Sequence, residues 1–430
     1  MPLRLIATCP EETKPALVHE LGALGATDLT PRFRAVEFEA GDALFYELHL
    51  KLRTASRILR VIKEIPAKTP EMLHSQARRI HWPELFDARH GFLVESVGAE
   101  AEGGGLAPKQ VITQVREAIR DVFSRAGGAV PPVDTDEPKV VVVAHLARGR
   151  CMLSLDTSGK SLHKRGYREQ GHPAPLKETL AAAILILAGY DGAQTFLDPM
   201  CGSGTLAIEA ATVAVRKAPQ IHRRKGEFHF EWLNGFDREL WRATQDRVRA
   251  EKLEAPIAPL FASDISEKYV AMARKSAFDA RVERYINFAT ARFQDIEPPA
   301  ERGLLVTNLP YGERIGSNEG EVRELYEAVG DTLKKKFAGW QAAILAASAS
   351  PYKSIGLKPS RAIALMNGSI PCKLLLFELY AGSRRPATDS ETGRPKAARD
   401  SELESRQLSR QTCRVRPSQR PDFPSPRARP

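Results

Sequence analysis

The chain has 430 residues, too many for one compact domain, so two or three domains are expected. Hydrophobic residues make up 43% and charged residues 27%, as in globular proteins with a buried core. No run reaches the roughly 20 apolar residues that cross a bilayer, and no secretion signal opens the chain. Five scattered cysteines form no C-x-x-C pair. We therefore expect a cytoplasmic protein with reduced thiols and no bound metal.

The net charge of +10 is unevenly distributed. Residues 383–430 hold 12 Lys/Arg against 6 Asp/Glu and few apolar side chains, so this tail is predicted to be disordered. A second excess lies in residues 139–168, where seven cations accompany only Asp156. Localised positive charge favours a phosphate backbone, although such a run is as often an ordinary solvated surface.

Two small α+β units are predicted before residue 171. In residues 1–65, strand-like and helical runs alternate, and GDALFYELHLKLRTASRIL (41–59) is predicted to be helical. In residues 66–170, a glycine-rich turn (103–105) precedes a helix over 108–126. Two strands, VVVVAHLARG and RCMLSLDTSG, then follow, joined by a short turn.

Residues 171–382 alternate strands and helices, the pattern of a parallel sheet covered by helices. Asn367-Gly368, between the last two apolar runs, is a strong hairpin signal, so the final strand is expected to run antiparallel. This ending differs from the ordinary dinucleotide-binding fold. The predicted strands are TFLD, PLFASD, INFATA, LLVTN, AAILAA, RAIAL and KLLLFELY.

The segment TFLDPMCGSGTLAIEAA (195–211) has the order strand, glycine-containing loop, helix. Gly202 and Gly204 let a ligand approach the backbone at a helix N-terminus. The loop lacks the Gly-Lys-Ser/Thr ending of a nucleotide-phosphate loop. Three carboxylates, Asp198, Asp264 and Asp295, follow successive strands. Each alone is more readily explained as a helix cap or turn residue, but their joint placement favours a zwitterionic adenosine ligand without phosphates.

The fourth strand of this region ends in Asn308-Leu309-Pro310-Tyr311, at the edge where α/β sheets bind ligands. An amine on an aromatic base is a poor nucleophile because its lone pair is delocalised. The Asn308 side-chain oxygen and the Leu309 carbonyl can hold its two hydrogens, and Tyr311 offers a face for the base. These residues predict transfer to an exocyclic amine, and without the preceding loop they would indicate only a turn.

With these motifs, residues 1–382 resemble the THUMP-domain RNA methyltransferases of the ribosomal guanine-N2 (RlmL) type. The resemblance rests on DPMCGSGT, NLPYGER, HKRGYREQGHPAPLKETLAAAIL and LMNGSIPCKLLLFELY. It implies a Rossmann-like class I methyltransferase domain (171–382) after ferredoxin-like (1–65) and THUMP (66–170) domains, with S-adenosyl-L-methionine as cofactor. The implied cofactor contacts are Asp198, Pro199, Cys201, Gly202, Gly204, Asp264, Ile265 and Asp295. The target base would meet Asn308, Leu309, Pro310 and Tyr311.

The resemblance also implies that RNA, and neither DNA nor a membrane, is the partner: 23S rRNA or a ribosomal assembly intermediate. Family members usually have Pro where this chain has Leu309, which predicts a slightly looser but active site. Some relatives carry a second methyltransferase domain, for which the arginine-rich tail is no equivalent, so a second activity is not expected. The expected RNA contacts are Arg148, Arg150, Lys164, Arg165 and Arg168.

Four alternatives remain. The first is the same guanine-N2 methylation on tRNA. The second is a non-catalytic RNA-binding or ribosome-assembly protein that retains the fold. The third is cytosine-C5 methylation with Cys372 as a thiolate, although a structural role for Cys372 is favoured. A nicotinamide oxidoreductase is least favoured, because the reacting strand offers no evident proton donor.

Overall fold

The computed structural model describes residues 2–98, 106–168, 176–310 and 319–380. The predicted glycine-rich turn, Tyr311 and the predicted disordered tail lie outside these ranges. The described strands are β1 Leu3–Thr8, β2 Thr27–Arg32, β3 Ala35–Ala40, β4 Arg57–Pro66, β5 Phe92–Val97, β6 Val140–Ala147, β7 Arg150–Asp156, β8 Phe196–Asp198, β9 Leu260–Asp264, β10 Ile286–Thr290, β11 Leu304–Asn308, β12 Gln341–Ala347, β13 Arg361–Asn367 and β14 Ile370–Glu378. The described helices are α1 Lys14–Ala23, α2 Asp42–Lys51, α3 Pro70–Ala77, α4 Trp82–Leu85, α5 Pro108–Arg125, α6 Glu178–Leu187, α7 Thr205–Ala214, α8 Arg238–Ala250, α9 Glu267–Asp279 and α10 Glu319–Lys336.

The two predicted N-terminal units share one seven-stranded sheet, in the order β2-β3-β1-β4-β7-β6-β5. Strand β4 joins them, because it pairs antiparallel with β1 on one side and with β7 on the other. The helix predicted over 41–59 is therefore wrong at its end: α2 stops at Lys51, and residues 57–59 belong to β4. Backbone pairing on both edges of β4 outweighs the local helical periodicity.

The second sheet has the order β10-β9-β8-β11-β12-β14-β13. The first five strands are parallel, and β14 runs antiparallel to β12 and β13, as predicted. The two-residue hairpin turn is Gly368-Ser369, one residue later than the predicted Asn-Gly pair, because Asn367 still pairs with Ile370; Gly368 has a φ of +64°. Because β8, β9 and β11 are parallel, Asp198, Asp264 and Asn308 end their strands at one edge of the sheet.

Helices cover both faces of this second sheet. Apolar side chains from α6, α7 and α9 form the core on one face, and those of α10 form the core on the other. The first sheet has a separate large core. Each core buries aliphatic and aromatic side chains, which supplies the main stabilisation of the fold.

The segment between α7 and β9, residues 215–259, packs on the first sheet rather than on its own. Its aromatic side chains enter the first core, where the Phe230 ring lies 4.8 Å from the His49 ring and 5.6 Å from the Phe45 ring. Trp241, on α8, lies 5.7 Å from Tyr46. We call residues 215–259 the clasp, because it connects the two sheets through an apolar interface.

A buried ionic network supports the same junction. Glu209, in α7, is 1% exposed; its Oε1 accepts a hydrogen bond from the Tyr167 hydroxyl over 2.9 Å and lies 3.6 Å from Arg165 Nε. The Arg165 side chain is 2% exposed and also donates to the Arg53 carbonyl oxygen over 2.6 Å. Arg53 in turn donates to Thr212 Oγ1 over 2.7 Å. The N-terminal half thus holds the helix that follows the glycine loop.

We predict that Arg165→Met destabilises the protein by about 3–5 kcal/mol, because Glu209 would remain buried without this cation. Urea unfolding of the full chain measures the loss. The control is Arg89→Met, since Arg89 is 82% exposed and pairs with Asp87 at the surface; there we expect a change of about 0.5 kcal/mol or less. Equal losses in the two variants would contradict the prediction.

Candidate active site

The loop between β8 and α7 is fixed against β9 and α9. The Gly202 N–H donates to Asp264 Oδ2 over 3.0 Å, which ties the loop to the end of β9. Gly204 precedes α7 with a φ of +83°, and a Cβ there would lie 2.9 Å from Ala273 Cβ on α9. Glycine is required at 204 for its left-handed conformation and for close helix packing. The loop therefore has one defined shape.

Asp198 lies beneath this loop and is 1% exposed. Its Oδ1 accepts hydrogen bonds from Thr307 Oγ1 over 3.0 Å and from the Met200 N–H over 3.4 Å, whereas its Oδ2 is buried and accepts none. Burial raises the pKa of the Asp198 carboxyl from 3.8 to about 7, although the Thr307 hydrogen bond opposes the shift. Thr307 was missed by sequence reasoning, because a Thr in a strand carries no distinguishing pattern.

Asn308 places a second unpartnered acceptor in the same region. It ends β11, which pairs in parallel with β8, so it lies beside the strand that carries Asp198. Its side-chain Oδ1 is buried and has no hydrogen-bond partner among the residues that the structure describes. Buried polar atoms usually have partners, and an unpartnered one marks a place where a ligand can supply the missing donor.

Asp198 and Asn308 line one cleft. Its walls are formed by the loop, the start of α7, the end of β11 and the residue two before α6: Leu176, Asp198, Met200, Cys201, Gly202, Ser203, Thr205, Leu206 and Asn308. The lining is part apolar and part polar, and two of its buried oxygens have no hydrogen-bond donor among the described residues. This pair of acceptors fits a ligand that is apolar along part of its length and carries N–H groups or a cationic amine.

The other predicted cofactor acids differ in their surroundings. Asp264 is 8% exposed, and its two oxygens accept from the Gly202 and Ser266 N–H groups. It therefore shapes the loop, and its contact with a cofactor stays a prediction. Ile265 is 63% exposed beside it. Asp295 is exposed at the end of a short helical turn that follows β10.

Pro199 and Cys201 are buried within the loop. The Cys201 N–H donates to the Ser263 carbonyl oxygen over 2.8 Å, which adds a second tie to β9. Burial raises the pKa of the Cys201 thiol well above its usual range, so the group is a neutral thiol. Cys201 contributes a wall and a backbone anchor to the cleft.

Leu309 is held by both its side chain and its backbone, and the looser site expected there stays a prediction. Its side chain is fully buried in the core beneath α10, and its N–H donates to the Leu345 carbonyl oxygen over 3.0 Å. A proline at this position would lack that N–H. The Pro310 carbonyl oxygen accepts from the Tyr326 hydroxyl over 3.4 Å. Two hydrogen bonds thus hold the backbone on both sides of the Leu309–Pro310 bond.

The predicted RNA contacts divide into surface and internal side chains. Arg148, Arg150 and Lys164 are exposed, with Arg150 paired to Glu64. The prediction is wrong for Arg165, whose buried charge serves Glu209. Arg168 also makes its contacts within the fold: its side chain pairs with Glu178 over 3.1 Å and donates to the Leu176 carbonyl oxygen over 2.6 Å. A run of cations in a sequence does not reveal which of them face solvent.

Among the described residues, no group of three or more His, Cys, Asp or Glu could hold a metal ion. Within the same ranges, no helix is long and apolar enough to span a bilayer. Cys372 is 1% exposed in β14 and is paired in register with Ala347 and Leu365. It is not part of the lining of the cleft.

Three family models match successive parts of the chain. Residues 4–59 match the RlmL ferredoxin-like domain, 67–156 match the THUMP domain, and 165–375 match the RMKL-like methyltransferase domain UPF0020. The third match covers the glycine loop, the cleft and the closing hairpin.

Curated proteins of similar sequence carry related names. "Ribosomal RNA large subunit methyltransferase K/L" of Shewanella sp. (strain W3-18-1) is 37% identical over 90% of this chain and 54% of its own length. The chain thus spans about half the length of this relative. A "Putative RNA methyltransferase" of Synechocystis sp. is 34% identical over 87% of this chain and 96% of its own length.

Solved structures show the same architecture. A "putative methyltransferase complexed with SAH" aligns with a TM-score of 0.78 and 26% identity, over 89% of this chain and 99% of its own. A "predicted N6-adenine-specific DNA methylase" of Listeria monocytogenes aligns with a TM-score of 0.78 and 25% identity, over 89% of this chain and 97% of its own. With its ferredoxin-like, THUMP and methyltransferase domains, the chain belongs to the RlmL-type family of THUMP-domain RNA methyltransferases.

Proposed function

We propose that this protein is an S-adenosyl-L-methionine-dependent methyltransferase that modifies the exocyclic N2 amine of a guanine in 23S rRNA, in the cytoplasm. One observation carries the chemistry: Asp198 Oδ2 and Asn308 Oδ1 are both buried at one cleft, and neither has a hydrogen-bond donor within the described ranges of the chain. The first suits the cationic amino group of the cofactor, and the second suits the amine of a base.

The residues of the chain would orient the reactants rather than attack them. When bound, S-adenosylmethionine supplies a methyl group on a positively charged sulfur. Asn308 Oδ1 and the Leu309 carbonyl oxygen accept the two hydrogens of the base amine and hold its lone pair in one direction. Rate enhancement then comes mainly from proximity and orientation. The proton leaves the amine after transfer, so no strong base is required.

The choice of RNA and of guanine rests on the relatives. The Shewanella relative is named for large-subunit ribosomal RNA, whereas the Listeria structure is titled as an N6-adenine enzyme. Both names concern nucleic acids, and the unpartnered Asn308 oxygen suits an exocyclic amine of either purine. Arg148, Arg150 and Lys164, in the proposed THUMP domain (66–170), offer exposed charge for the RNA backbone.

Two rival functions fit the cleft less well. Cytosine-C5 methylation needs a thiolate at the reacting base, but Cys372 is outside the cleft lining and Cys201 is a neutral thiol. A non-catalytic assembly protein has no need for two unsatisfied acceptors, because each lowers stability when no ligand is bound. Both arguments favour a catalytic site for an amine.

We predict that Asn308→Ala lowers methyl transfer about 100-fold or more, because the amine loses a preorganised acceptor. Transfer is measured with radiolabelled S-adenosylmethionine and 23S rRNA. Binding of S-adenosylhomocysteine, measured by calorimetry, should stay within about 3-fold of the original, since Asn308 faces the base. Asn287→Ala, in β10, is the control and should keep normal turnover. Near-normal turnover of Asn308→Ala would contradict the mechanism.

Cofactor affinity should depend on the protonation of Asp198. Its carboxyl is protonated below its pKa of about 7, and only the carboxylate attracts the cationic amino group of the cofactor. Calorimetry should therefore show that S-adenosylhomocysteine affinity falls up to about 10-fold per pH unit from pH 7 to 5. In this range, binding of the ligand should release the proton of the Asp198 carboxyl. Asp198→Asn should bind weakly at every pH in this range. A flat profile in the original protein would contradict the assignment.

The raised pKa of Asp198 also predicts how the stability of the ligand-free protein depends on pH. A carboxyl whose folded pKa is raised adds stability below its unfolded pKa, near 3.8, and loses it as the pH rises through about 7. At pH 8 the neutral Asp198→Asn variant should thus melt at a higher temperature than the original chain. Their melting temperatures should converge at low pH, which thermal scans can test.

The RNA class can be separated by mapping modifications in a deletion strain. We expect 23S rRNA to lose one N2-methylguanine while tRNA keeps all of its own, as quantified by mass spectrometry. Expression of the Asn308→Ala variant should not restore the lost group, whereas expression of the original chain should. Loss of the group from tRNA instead would contradict the rRNA assignment and leave the amine chemistry in place.

A further inference from the structure

A cluster of cations lies at the amino edge of the second sheet, opposite the cleft. Arg216 follows α7, Lys252 precedes β9, and Arg281 precedes β10. Two hydrogen bonds bring them together: the Leu253 N–H donates to the Val215 carbonyl oxygen over 2.9 Å, and Lys217 Nζ donates to the Ala280 carbonyl oxygen over 2.8 Å. The two residues that flank Arg216 in sequence thus contact the residue after Lys252 and the residue before Arg281. We call these three residues the amino-edge cluster.

The cluster presents its charge to solvent. All three residues are exposed, and within the described ranges no carboxylate lies within ion-pairing distance of them. Lys252 Nζ lies 5.8 Å from the centre of the Tyr285 ring, and Arg284 adds another exposed cation on that ring at 4.7 Å. Glu251, the acid next to Lys252 in sequence, pairs instead with Lys51 and Arg247, and Glu254 is exposed two residues after Lys252.

Two members of the cluster adopt backbone conformations that arginine disfavours. The φ angles are +51° at Arg216 and +58° at Arg281, in the left-handed region. Glycine or asparagine fits this region with less steric cost. Both residues lie just after a helix C-terminus: the Lys217 N–H donates to the Thr212 carbonyl oxygen at the end of α7, and the Val282 N–H donates to the Ala277 carbonyl oxygen at the end of α9. The helix dipole favours a cation at such an end, which places both charges at the amino edge of the sheet.

Nearby cations lower the pKa values of two ionisable groups beside the cluster. Burial lowers the pKa of Lys217 to about 8, and the adjacent Arg53, Lys252 and Arg281 lower it further against the opposing pull of Glu209. Burial likewise lowers the pKa of His222 to about 4, with added contributions from Lys217, Arg281, Lys252 and Arg249. Lys252 and Arg281 contribute to both shifts, so these two cations act on the same region of the surface.

We propose that the amino-edge cluster binds the phosphate backbone of an RNA segment distant from the methylated base. The proposal rests on RNA being the partner, as argued above. Strands β9 and β10 have five residues each, so the cluster lies about 17 Å or more from the edge that holds the cleft. A stem-loop of only a few base pairs around the target base would not span both edges, whereas a longer folded RNA would. The cluster would therefore strengthen the binding of longer RNA substrates.

The test compares two full-length variants that lose equal charge. Arg216→Gln/Lys252→Gln/Arg281→Gln removes the cluster, and Arg89→Gln/Arg120→Gln/Lys334→Gln removes three surface cations that pair with Asp87, Glu117 and Asp331. Binding to a long 23S rRNA transcript is measured from 50 to 300 mM KCl. We expect the slope of log affinity against log salt to decrease by about 2 to 3 in the cluster variant and by less than about 1 in the control.

A short RNA stem-loop that contains the target base supplies the second readout. Its affinity and its methylation rate should be the same in the cluster variant and the original chain. A further variant, Arg216→Gly/Arg281→Gly with Lys252→Gln, keeps the left-handed backbone and should melt no lower than the original, so that lost binding is not lost folding.

Equal salt slopes in the cluster variant and the control would overturn the proposal. So would an equal loss on the short and the long RNA, or binding of the cluster to polyglutamate in preference to RNA. Failure of the original chain to methylate any RNA would instead count against the proposed function, and the slopes with the long transcript would still decide the role of the cluster.

Discussion

A buried carboxylate, Glu209, constrains how the two halves of the protein meet. An ionised carboxylate without partners inside a protein is strongly unfavourable, so Glu209 requires the cation of Arg165 and the hydroxyl of Tyr167. Both partners come from the segment that follows the first sheet, whereas Glu209 lies one turn into α7. Because α7 begins at the glycine loop, this network fixes the N-terminal half relative to the cleft. The aromatic clasp (215–259), which follows α7, reinforces the same docking through its contacts with the first core.

In the cleft, two buried polar atoms have no hydrogen-bond partner among the described residues. Asp198 Oδ2 and Asn308 Oδ1 are left without donors, although Thr307 satisfies the other oxygen of Asp198. This arrangement lowers the stability of the ligand-free protein and keeps both acceptors preorganised, so that no internal hydrogen bond has to break before a ligand binds. The pKa of the Asp198 carboxyl is raised to about 7 because the group is buried and its charge has no counterion in the described ranges of the ligand-free protein.

Local signals in the sequence predicted most of the second sheet. The glycine loop, the strand-end polar residues and the Asn367-Gly368 hairpin each depend on a few adjacent residues with strict backbone requirements. The continuity of the first sheet was not predictable in this way, because β4 pairs with β7 nearly 100 residues later, as in the Leu59–Asp156 register. The same limit applies to Leu309, whose tertiary hydrogen bond to Leu345 no local pattern reveals.

Charge illustrates this limit most clearly. The cationic run near residue 165 suggested an RNA contact, yet the fold uses Arg165 and Arg168 to neutralise Glu209 and Glu178. The amino-edge cluster, by contrast, comes from three separate segments that no sequence window joins. Parallel β9 and β10 both start at that edge, and α7 ends there, so their flanking cations converge by topology alone. In the proposed function, the parallel sheet thus serves the protein at two edges: its carboxyl ends carry the residues proposed to orient the reacting groups, and its amino ends carry the cations proposed to bind a distant part of the same RNA.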